Sequence, residues 1–467
     1  MATYFMGLLS VTIGCVLMIP RFIMRGKKDG KPLIQVVVLG DVGHSPRMQY
    51  HTLSLAESGR VRVELIGYKG SKPIEKLSSH QDVRIRYLMR FRLSDKLHVP
   101  FFVYGLLKAI FDSLVLLTTL LFASGSIADV IMIQTPPAVP TMLVCVLVRF
   151  ITGAKLIFDF HNITYMHLGS KLTTSTSSRI IVELVKLYET LLSKFAHHSL
   201  CVTVSMKSFL EAEYSLNNVT TLYDKPGPQF VGKVMDSRVR AELEDRFIRE
   251  GFIKEKLTYY NHLIVSSTSW TKDEDFSLVL DALPKWSKSL LEKKQRALLF
   301  ITGKGEMKED FESKFKSLKL PNIDLGTGWI AASDYPLILG CADAGISVHT
   351  STSGLDLPMK AVDMLGSDCP VIAYKFPALT ELLKEGEGGM TFVNASELGD
   401  HLIAITTGSE AELLRKKFQI FASNWRKRDW KIEWNDKVWP IVDSMLASRS
   451  SNGGIKKQSR QARRRND

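Results

Sequence analysis

Three polar loops in the second half of the chain carry residue types that bind anions. They lie at 266–276 (SSTSWTKDEDF), 302–308 (TGKGEMK) and 349–363 (HTSTSGLDLPMKAVD). Each follows a short apolar run, and the first and third precede helical patterns that are predicted to begin near Asp273 and just after Gly354. The free N–H groups and partial positive charge of a helix N-terminus attract anions such as phosphate. The three loops therefore predict one anion site at neighbouring strand ends.

The candidate residues of this site are hydroxyls, glycines, lysines and aspartates: Ser267, Thr268, Lys272, Gly303, Lys304, Gly305, Ser353, Gly354, Asp356, Lys360 and Asp363. Taken singly, each is equally typical of a helix cap or a solvated surface. Their occurrence on three successive strand ends favours a shared ligand. Neither a Walker-type loop nor a G-x-G-x-x-G fingerprint is present in the sequence, so a nucleoside diphosphate is favoured over ATP hydrolysis or NAD binding.

Apolar runs that read as buried strands must position these loops. In the first half, two such runs begin and end the stretch 33–68, and three more lie at 130–133, 155–160 and 199–204. In the second half they lie at 262–270, 297–305, 343–351 and 370–374. Strands that alternate with helical patterns predict parallel sheets with ligands at the strand ends. The predicted fold class is α/β, with two Rossmann-like domains facing a cleft.

The expected domain organisation has five parts. A membrane anchor and basic flank (1–30) precede an N-terminal Rossmann-like acceptor domain (31–227). A charged, helix-prone connector (228–257) leads to a C-terminal Rossmann-like donor domain (258–447), and a basic tail (448–467) follows.

The first part is expected to be a single transmembrane helix. Residues 2–19 are uncharged and apolar, the pattern continues to Met24, and bilayer crossing needs about 20 such residues. Positive charge follows the run and no cleavage site stands out, so it reads as an uncleaved signal-anchor with a lumenal N-terminus and cytosolic domains. Five scattered cysteines suit a reducing compartment, where the three sequons at Asn162, Asn218 and Asn394 would stay unused.

Net charge does not indicate a nucleic-acid partner. Of the formal +13, residues 21–31 supply +4 (five basic, one acidic) and residues 448–467 supply +6 (seven basic, one acidic). The folded middle is nearly balanced. The tail is read either as a contact to an anionic membrane surface or as a solubilising extension.

A second apolar stretch, 101–123, is long enough to span a bilayer. Lys108 and Asp112, one turn apart, would be costly in lipid. An N-domain helix lying partly in the membrane interface is the favoured interpretation, and an ordinary core helix is the alternative.

Six stretches together resemble the chitobiosyldiphosphodolichol beta-mannosyltransferase family: LGDVGHSPRMQYH, DFHN, LYDKP, SSTSWTKDEDF, ITGKG and VHTSTSGLDLPMKAVDM, in order between about residues 33 and 377. The resemblance implies a GT-B fold, GDP-mannose as donor and GlcNAc2-diphosphate-dolichol as acceptor. It also implies a β1,4 bond made with inversion, on the cytosolic face of the endoplasmic reticulum membrane. The chain itself or other lipid-linked mannosyltransferases stay open as protein partners.

The same resemblance assigns roles in the donor site. Aligned to the E-x7-E motif of related enzymes, Asp363 takes the ribose position and Leu355 replaces the first acid, a departure that leaves Asp356 as a substitute toward mannose hydroxyls. Backbone N–H groups of Ser353 and Gly354 would meet the diphosphate, with added charge from Lys360, Lys272 and Lys304.

Inverting transfer needs a base for the acceptor hydroxyl. The candidates, in order of preference, are His161, Asp159, Asp41 and His44, all at predicted strand ends. No bound cofactor or metal is expected, and a divalent cation is allowed as a stimulant without a protein site. Two alternatives remain: a later GDP-mannose-dependent mannosyltransferase of the same lipid-linked pathway, or a catalytically inactive membrane-tethered scaffold that binds a sugar nucleotide.

Overall fold

The computed structural model describes residues 30–92, 101–172, 175–234, 236–271 and 274–448. Three predictions fall outside these ranges: the membrane anchor with its basic flank (except Gly30), the phosphate role of Lys272, and the basic tail beyond Ser448.

The described chain forms two compact units. The first contains the residues up to Val202, Met206–Leu222 and those from Lys431 onward. The second contains Thr203–Ser205 and Tyr223–Trp430.

The first unit holds a parallel sheet of seven strands in the order β3-β2-β1-β4-β5-β6-β7. The strands are β1 (Leu33–Asp41), β2 (Arg62–Tyr68), β3 (Val83–Leu88), β4 (Val130–Thr135), β5 (Lys155–Phe160), β6 (His198–Cys201) and β7 (Val219–Thr221). The central strands β1, β4 and β5 are almost entirely buried, as expected of parallel strands covered on both faces.

The helices that accompany this sheet connect its strands, apart from one at the end of the chain. They are α1 (Pro46–Glu57), α2 (Glu75–Ser79), α3 (Phe101–Phe122), α4 (Thr141–Thr152), α5 (Thr164–Lys171), α6 (Thr176–Ser193), α7 (Val204–Glu213) and, far along the chain, α15 (Trp430–Lys437). Residues 439–448 continue as a helical segment.

The second unit holds a parallel sheet of six strands in the order β10-β9-β8-β11-β12-β13. The strands are β8 (His262–Thr268), β9 (Ala297–Gly303), β10 (Ile323–Gly328), β11 (Ala344–Ser347), β12 (Val371–Tyr374) and β13 (Gly389–Phe392). The helices are α8 (Ser237–Arg249), α9 (Ser277–Glu292), α10 (Lys308–Ser317), α11 (Tyr335–Cys341), α12 (Met359–Gly366), α13 (Ala395–Thr406) and α14 (Ala411–Arg426).

Two predicted domain boundaries differ from the structure. The connector (228–257) belongs to the second unit, because Leu243 and Phe247 of α8 enter its hydrophobic core and Phe247 stacks on Phe300 with ring centroids 5.1 Å apart. Residues 431–447 belong to the first unit, because Trp434 is completely buried there against helix α1. Charge and helical pattern alone did not show which core would accept either segment.

The 101–123 stretch forms helix α3, whose residues Val103–Phe122 are the one segment within the described ranges long and apolar enough to cross a membrane. Its second half is built into the domain: Leu116 and Leu120 are buried, and Asp112 is buried in an ion pair with Lys108. Its first half exposes Leu106, whose accessible fraction is 62%. The helix is therefore part core and part exposed apolar surface, and its docking in a membrane interface stays a prediction.

Candidate active site

A buried carboxylate organises the strand ends of the first unit. Asp159, near the end of β5, is completely inaccessible to solvent. It accepts two hydrogen bonds from the guanidinium of Arg47, at 2.8 and 2.9 Å, and meets the rings of His51 and His161 at 3.2 and 2.8 Å. Arg47 and His51 lie four residues apart on α1, so one helical face presents both to Asp159.

The protonation state of Asp159 follows from these partners. Burial is the largest single influence and by itself would raise the pKa, but the charge of Arg47 and the hydrogen bonds from the two histidines hold the pKa well below its ordinary value. The carboxylate is thus ionised and enclosed. This geometry disfavours the prediction that Asp159 acts as a general base, because no lone pair is presented to a substrate and the anion is a weak base.

His51 is held in a single tautomer. The indole N–H of Trp434 donates to Nδ1 of His51 at 2.9 Å, so Nε2 must carry the proton that faces Asp159. Burial lowers the pKa of His51, which keeps the ring neutral. His51 therefore supports Asp159.

His161 is the solvent-facing member of this cluster. Its side chain is 23% exposed, and its Nε2 lies 2.8 Å from Oδ2 of Asp159. The ionised Asp159 accepts from Nε2, which leaves Nδ1 of a neutral His161 with the lone pair. A backbone hydrogen bond from His161 N–H to Thr135 fixes the chain at this point. The arrangement can orient an imidazole that accepts a proton, which fits the first-ranked base candidate.

Asp41 and His44 form a separate loop structure after β1. Partial burial alone would raise the pKa of Asp41, but backbone N–H groups of Ser71 and Gly43 (2.8 and 2.9 Å) and the His44 ring (2.8 Å) lower it. A Cβ added at Gly43 would lie 2.3 Å from the Ser71 carbonyl oxygen, so the two segments need glycine to approach this closely. Asp41 therefore holds the loop together by accepting hydrogen bonds from both of its segments. The side chain of His44 is 77% exposed.

In the second unit, Glu274 collects groups that the sequence suggested for phosphate. The hydroxyl of Thr268 donates to its carboxylate at 2.6 Å, and the N–H of Ser269 does so at 2.8 Å. Lys360 of α12 forms an ion pair with the same carboxylate. Thr268 and Lys360 are therefore engaged within the protein, and Glu274 is a residue that the sequence reasoning missed.

The glycines of the TGKG loop serve close packing against the first loop. A Cβ at Gly303 would lie 1.9 Å from the carbonyl oxygen of Thr268, and one at Gly305 would lie 2.0 Å from that of Ser269. Lys304 is exposed between them, with its ammonium 5.1 Å from the ring centroid of Trp329. Trp329 follows β10 and is 59% exposed, and it too was not anticipated.

The loop before α12 is internally hydrogen-bonded. Ser351 and Ser353 both donate their hydroxyls to Asp356, and the N–H of Gly354 donates to Ser351 Oγ at 2.7 Å. Gly354 has φ of 71°, a left-handed conformation that favours glycine. In this loop the Gly354 N–H is engaged by Ser351, and Asp356 accepts from the two hydroxyls.

Asp363 differs from all of these acids. Helix α12 begins at Met359, so Asp363 lies in its second turn rather than at the helix start that the sequence suggested. Within the described residues, its carboxylate takes part in no hydrogen bond or ion pair, and burial raises its pKa to about 8. The Tyr335 hydroxyl, whose own pKa is raised by burial and then by Asp363, lies 2.9 Å from Oγ of Ser267. This half-buried carboxyl is therefore available to a ligand with hydroxyl donors.

No cluster of three or more His, Cys, Asp or Glu side chains suited to a metal ion occurs in the part of the chain that the structure describes.

Comparisons with known proteins place this site in context. A family model described as "Glycosyl transferases group 1" matches residues 261–407. The chain is 35% identical over 452 residues to the chitobiosyldiphosphodolichol beta-mannosyltransferase of Mus musculus, covering 90% of this chain and 91% of the mouse protein. It is 32% identical to the UDP-glycosyltransferase TURAN of Arabidopsis thaliana, covering 88% of this chain and 97% of that protein.

Among solved structures, Anabaena HepE in complex with UDP-glucose matches with a TM-score of 0.58 at 16% identity, covering 90% of this chain and 99% of that chain. At this identity the likeness shows the fold alone. With the two parallel Rossmann-like sheets, it confirms the predicted GT-B fold class.

Proposed function

The chain belongs to the chitobiosyldiphosphodolichol beta-mannosyltransferase family, and from this premise we propose that it transfers mannose from GDP-mannose to GlcNAc2-diphosphate-dolichol. The product would carry a β1,4 bond formed with inversion at the mannose anomeric carbon. The observation that carries the proposal is the similarity to several enzymes of this name over about nine-tenths of the chain.

The second unit is the proposed donor site, with Asp363 holding the ribose hydroxyls. Two observations support this. Within the described residues the Asp363 carboxyl has no hydrogen-bond or ion-pair partner, and burial raises its pKa to about 8. Two hydroxyl donors would favour the ionised carboxylate and offset the cost of burying it.

For the diphosphate, the proposed contacts are the partially positive N-terminal end of α12 and the exposed ammonium of Lys304. A phosphate oxygen near Lys304 would compete with Trp329 for that ammonium. Glu274 holds Thr268 and Lys360, and Asp356 holds Ser353, so these candidates would shape the loops around the proposed contacts.

The first unit would supply the base. In the proposed step, Nδ1 of His161 takes the proton of the acceptor GlcNAc 4-hydroxyl while that oxygen bonds to the mannose anomeric carbon. The bond from that carbon to the diphosphate oxygen breaks, and GDP leaves with the electron pair. Asp159 stabilises the resulting imidazolium through Nε2, as the triad aspartate does in serine hydrolases.

The proposed location is the endoplasmic reticulum membrane, with an N-terminal anchor, cytosolic units and unglycosylated sequons. Support comes from the apolar run at 2–19, the basic residues that follow it and the lipid-linked acceptor in the relatives' names. Endoglycosidase treatment should leave the gel mobility unchanged, and a shift would contradict this topology.

The activity is tested with labelled GDP-mannose and short-chain lipid diphosphates bearing one, two or three sugars. We expect transfer to the chitobiose carrier alone, with the label released by β-mannosidase. Transfer only to the three-sugar carrier would indicate a later mannosyltransferase of the pathway. Donor binding without transfer to any carrier would indicate an inactive scaffold.

UDP-sugars are tested as donors in the same assay, because the Arabidopsis relative is named a UDP-glycosyltransferase. UDP-glucose and UDP-GlcNAc should give no labelled product under the same conditions. Efficient transfer from either would overturn the assignment of GDP-mannose while leaving the fold and the family unchanged.

A further inference from the structure

Helix α6 exposes a stripe of large aliphatic residues to solvent. Its buried residues are polar: Ser178, Glu189 and Ser193. Four large aliphatic residues, spaced four, three and four positions apart on one helical face, are each between 50% and 60% exposed: Ile180, Leu184, Leu187 and Leu191. An amphipathic domain helix normally turns such a stripe toward the core. An exposed stripe of this kind marks a surface that another body covers.

Helix α4 extends the same surface. Leu143, Leu147 and Phe150, again one face, are 42%, 45% and 66% exposed. The N–H of Leu143 donates to the Tyr188 hydroxyl at 3.1 Å, and Phe150 packs edge-to-face on Phe195 with centroids 5.7 Å apart. These contacts pair the start of α4 with the second half of α6 and the end of α4 with a residue just after α6. The two helices therefore run in the same direction, and their exposed residues belong to neighbouring elements. We call these seven exposed residues of α4 and α6 the aliphatic face.

Helix α3 packs against α4 and exposes a third apolar stripe. Val103, Leu106 and Ile110 of its first half are 46%, 62% and 42% exposed. Three successive connections of the first unit thus present apolar side chains outward.

Positive charge accompanies the aliphatic face. Four basic residues belong to these two helices or follow α6 directly: Arg149, Arg179, Lys186 and Lys194. Glu183 is the one exposed acid of α4 and α6. A basic border around aliphatic residues complements the anionic headgroups at a membrane surface.

We propose that the aliphatic face docks on an anionic lipid bilayer, as a second membrane contact besides the N-terminal apolar segment. Its composition favours lipid over a protein partner, because the binding hot spots of protein interfaces are rich in Tyr, Trp and Arg and poor in Leu, whereas six of these seven residues are Leu or Ile. The anchor would hold the chain at the membrane, and the face would fix how the first unit is oriented on it.

The contact is tested directly in the full-length protein reconstituted in phosphatidylcholine vesicles with 20% phosphatidylserine. The photoreactive residue benzoylphenylalanine replaces Leu184 in one variant. In a control it replaces Leu413 of α14, which is also exposed, by 66%. Lipid adducts, detected by mass, should form from position 184 and not from position 413.

Several outcomes would overturn the proposal. Equal lipid labelling at both positions, or none at 184, would show that the face does not meet the bilayer. An adduct from 184 to residues 1–29 would assign the face to the N-terminal segment, and an adduct to a second copy of the chain would assign it to self-association.

A second experiment asks whether docking matters for transfer, and this arm rests on the proposed function. Leu184→Glu with Leu187→Glu should lower transfer to an acceptor embedded in vesicles by about tenfold or more, because charged side chains cannot enter the apolar region. Transfer to a short-chain acceptor in solution should be unchanged. The matched control, Leu413→Glu with Ile420→Glu, should alter neither rate.

The failures are distinguishable. Equal losses with both acceptors would point to a folding defect and contradict a docking role. If the wild type transfers to neither acceptor, the proposed function is wrong, while the photolabelling result still decides the membrane contact.

Discussion

Asp159 and Asp363 carry the same carboxyl group, but Asp159 is surrounded by hydrogen-bond donors and Asp363 is not. Asp159 ends a strand of the first unit with Arg47, His51 and His161 around it, and its pKa is held well below the ordinary value. Asp363 lies on a helix of the second unit without a hydrogen-bond or ion-pair partner in the described part of the chain, and burial raises its pKa to about 8. Burial by itself raises the pKa of both carboxyls, so the opposite net shifts arise from the partners.

This contrast separates a carboxylate that completes a preorganised cluster from one that awaits a ligand. The charge of Asp159 is already used to orient two imidazoles, only one of which faces solvent. The charge of Asp363 is disfavoured until hydroxyl donors arrive. Variants at the two positions should therefore fail in different assays.

The largest effect is expected on the imidazole that Asp159 orients. His161→Asn should lower mannose transfer by about 10²–10⁴-fold, the usual contribution of a positioned base, because the amide cannot accept the proton. GDP affinity, measured by calorimetry, should stay near wild type since the second unit is the proposed GDP site. The same assay on His44→Asn ranks the two histidines: a larger loss there than at His161 would move the base to the β1 loop.

The next effect is on stability. Asp159→Ala removes the carboxylate that pairs with the buried Arg47, so we expect a loss of about 3–5 kcal/mol in the free energy of unfolding. The wild-type contribution is present above the ordinary Asp pKa and is lost as pH falls through the depressed pKa, so the deficit should shrink in acid. Urea midpoints of the variant and the wild type at pH 7 and pH 3 measure the deficit and its decrease in acid. A variant as stable as wild type at pH 7 would contradict the central role of Asp159.

Ligand affinity gives the third comparison. Asp363→Ala should weaken GDP binding by about tenfold or more, because charge-assisted hydrogen bonds contribute about 1.5–3 kcal/mol each. Asp310→Ala removes an exposed acid of α10 and serves as the matched control. Unchanged GDP affinity in a folded Asp363→Ala variant would show that the ribose binds elsewhere.

The sequence predicted the buried strands well because continuous apolar runs have few alternatives. Nine strands were anticipated in order, whereas β3, β7, β10 and β13 were not. Their patterns are weak: β3 alternates Arg with apolar residues, and β10 contains Gly326 and Gly328. Edge or short strands of this kind lack the continuous apolar signal on which the prediction depends.

Candidate residues could be placed at predicted strand ends from the sequence, but the partners of most of them could not be predicted. Lys360 meets Glu274 across 86 residues of sequence, and Trp434 meets His51 across 383. Such pairs are set by tertiary packing and leave no local pattern. One signal was available: Arg47 and His51 stand at i and i+4 in a quoted motif, a spacing that puts both on one helical face.

The smallest expected effect is the contribution of Asp363 to the pH dependence of the free energy of unfolding. It is also the most direct contrast with Asp159, because the two pKa shifts have opposite signs. A group whose pKa is raised on folding contributes stability below its ordinary pKa near 3.8 and loses it as pH rises through about 8. Asp363→Asn keeps the shape but cannot ionise. Without GDP, the variant should therefore match wild type near pH 4 and become more stable by roughly 1–2 kcal/mol above pH 8, a fraction of what the full shift allows at 1.36 kcal/mol per unit because the group is only half-buried. Urea midpoints between pH 4 and pH 9 test this, and Asp310→Asn should track wild type throughout. A stability difference that is constant with pH, or a variant that is less stable than wild type with a deficit that shrinks in acid as expected for Asp159→Ala, would show that Asp363 is ionised and satisfied in the unliganded protein.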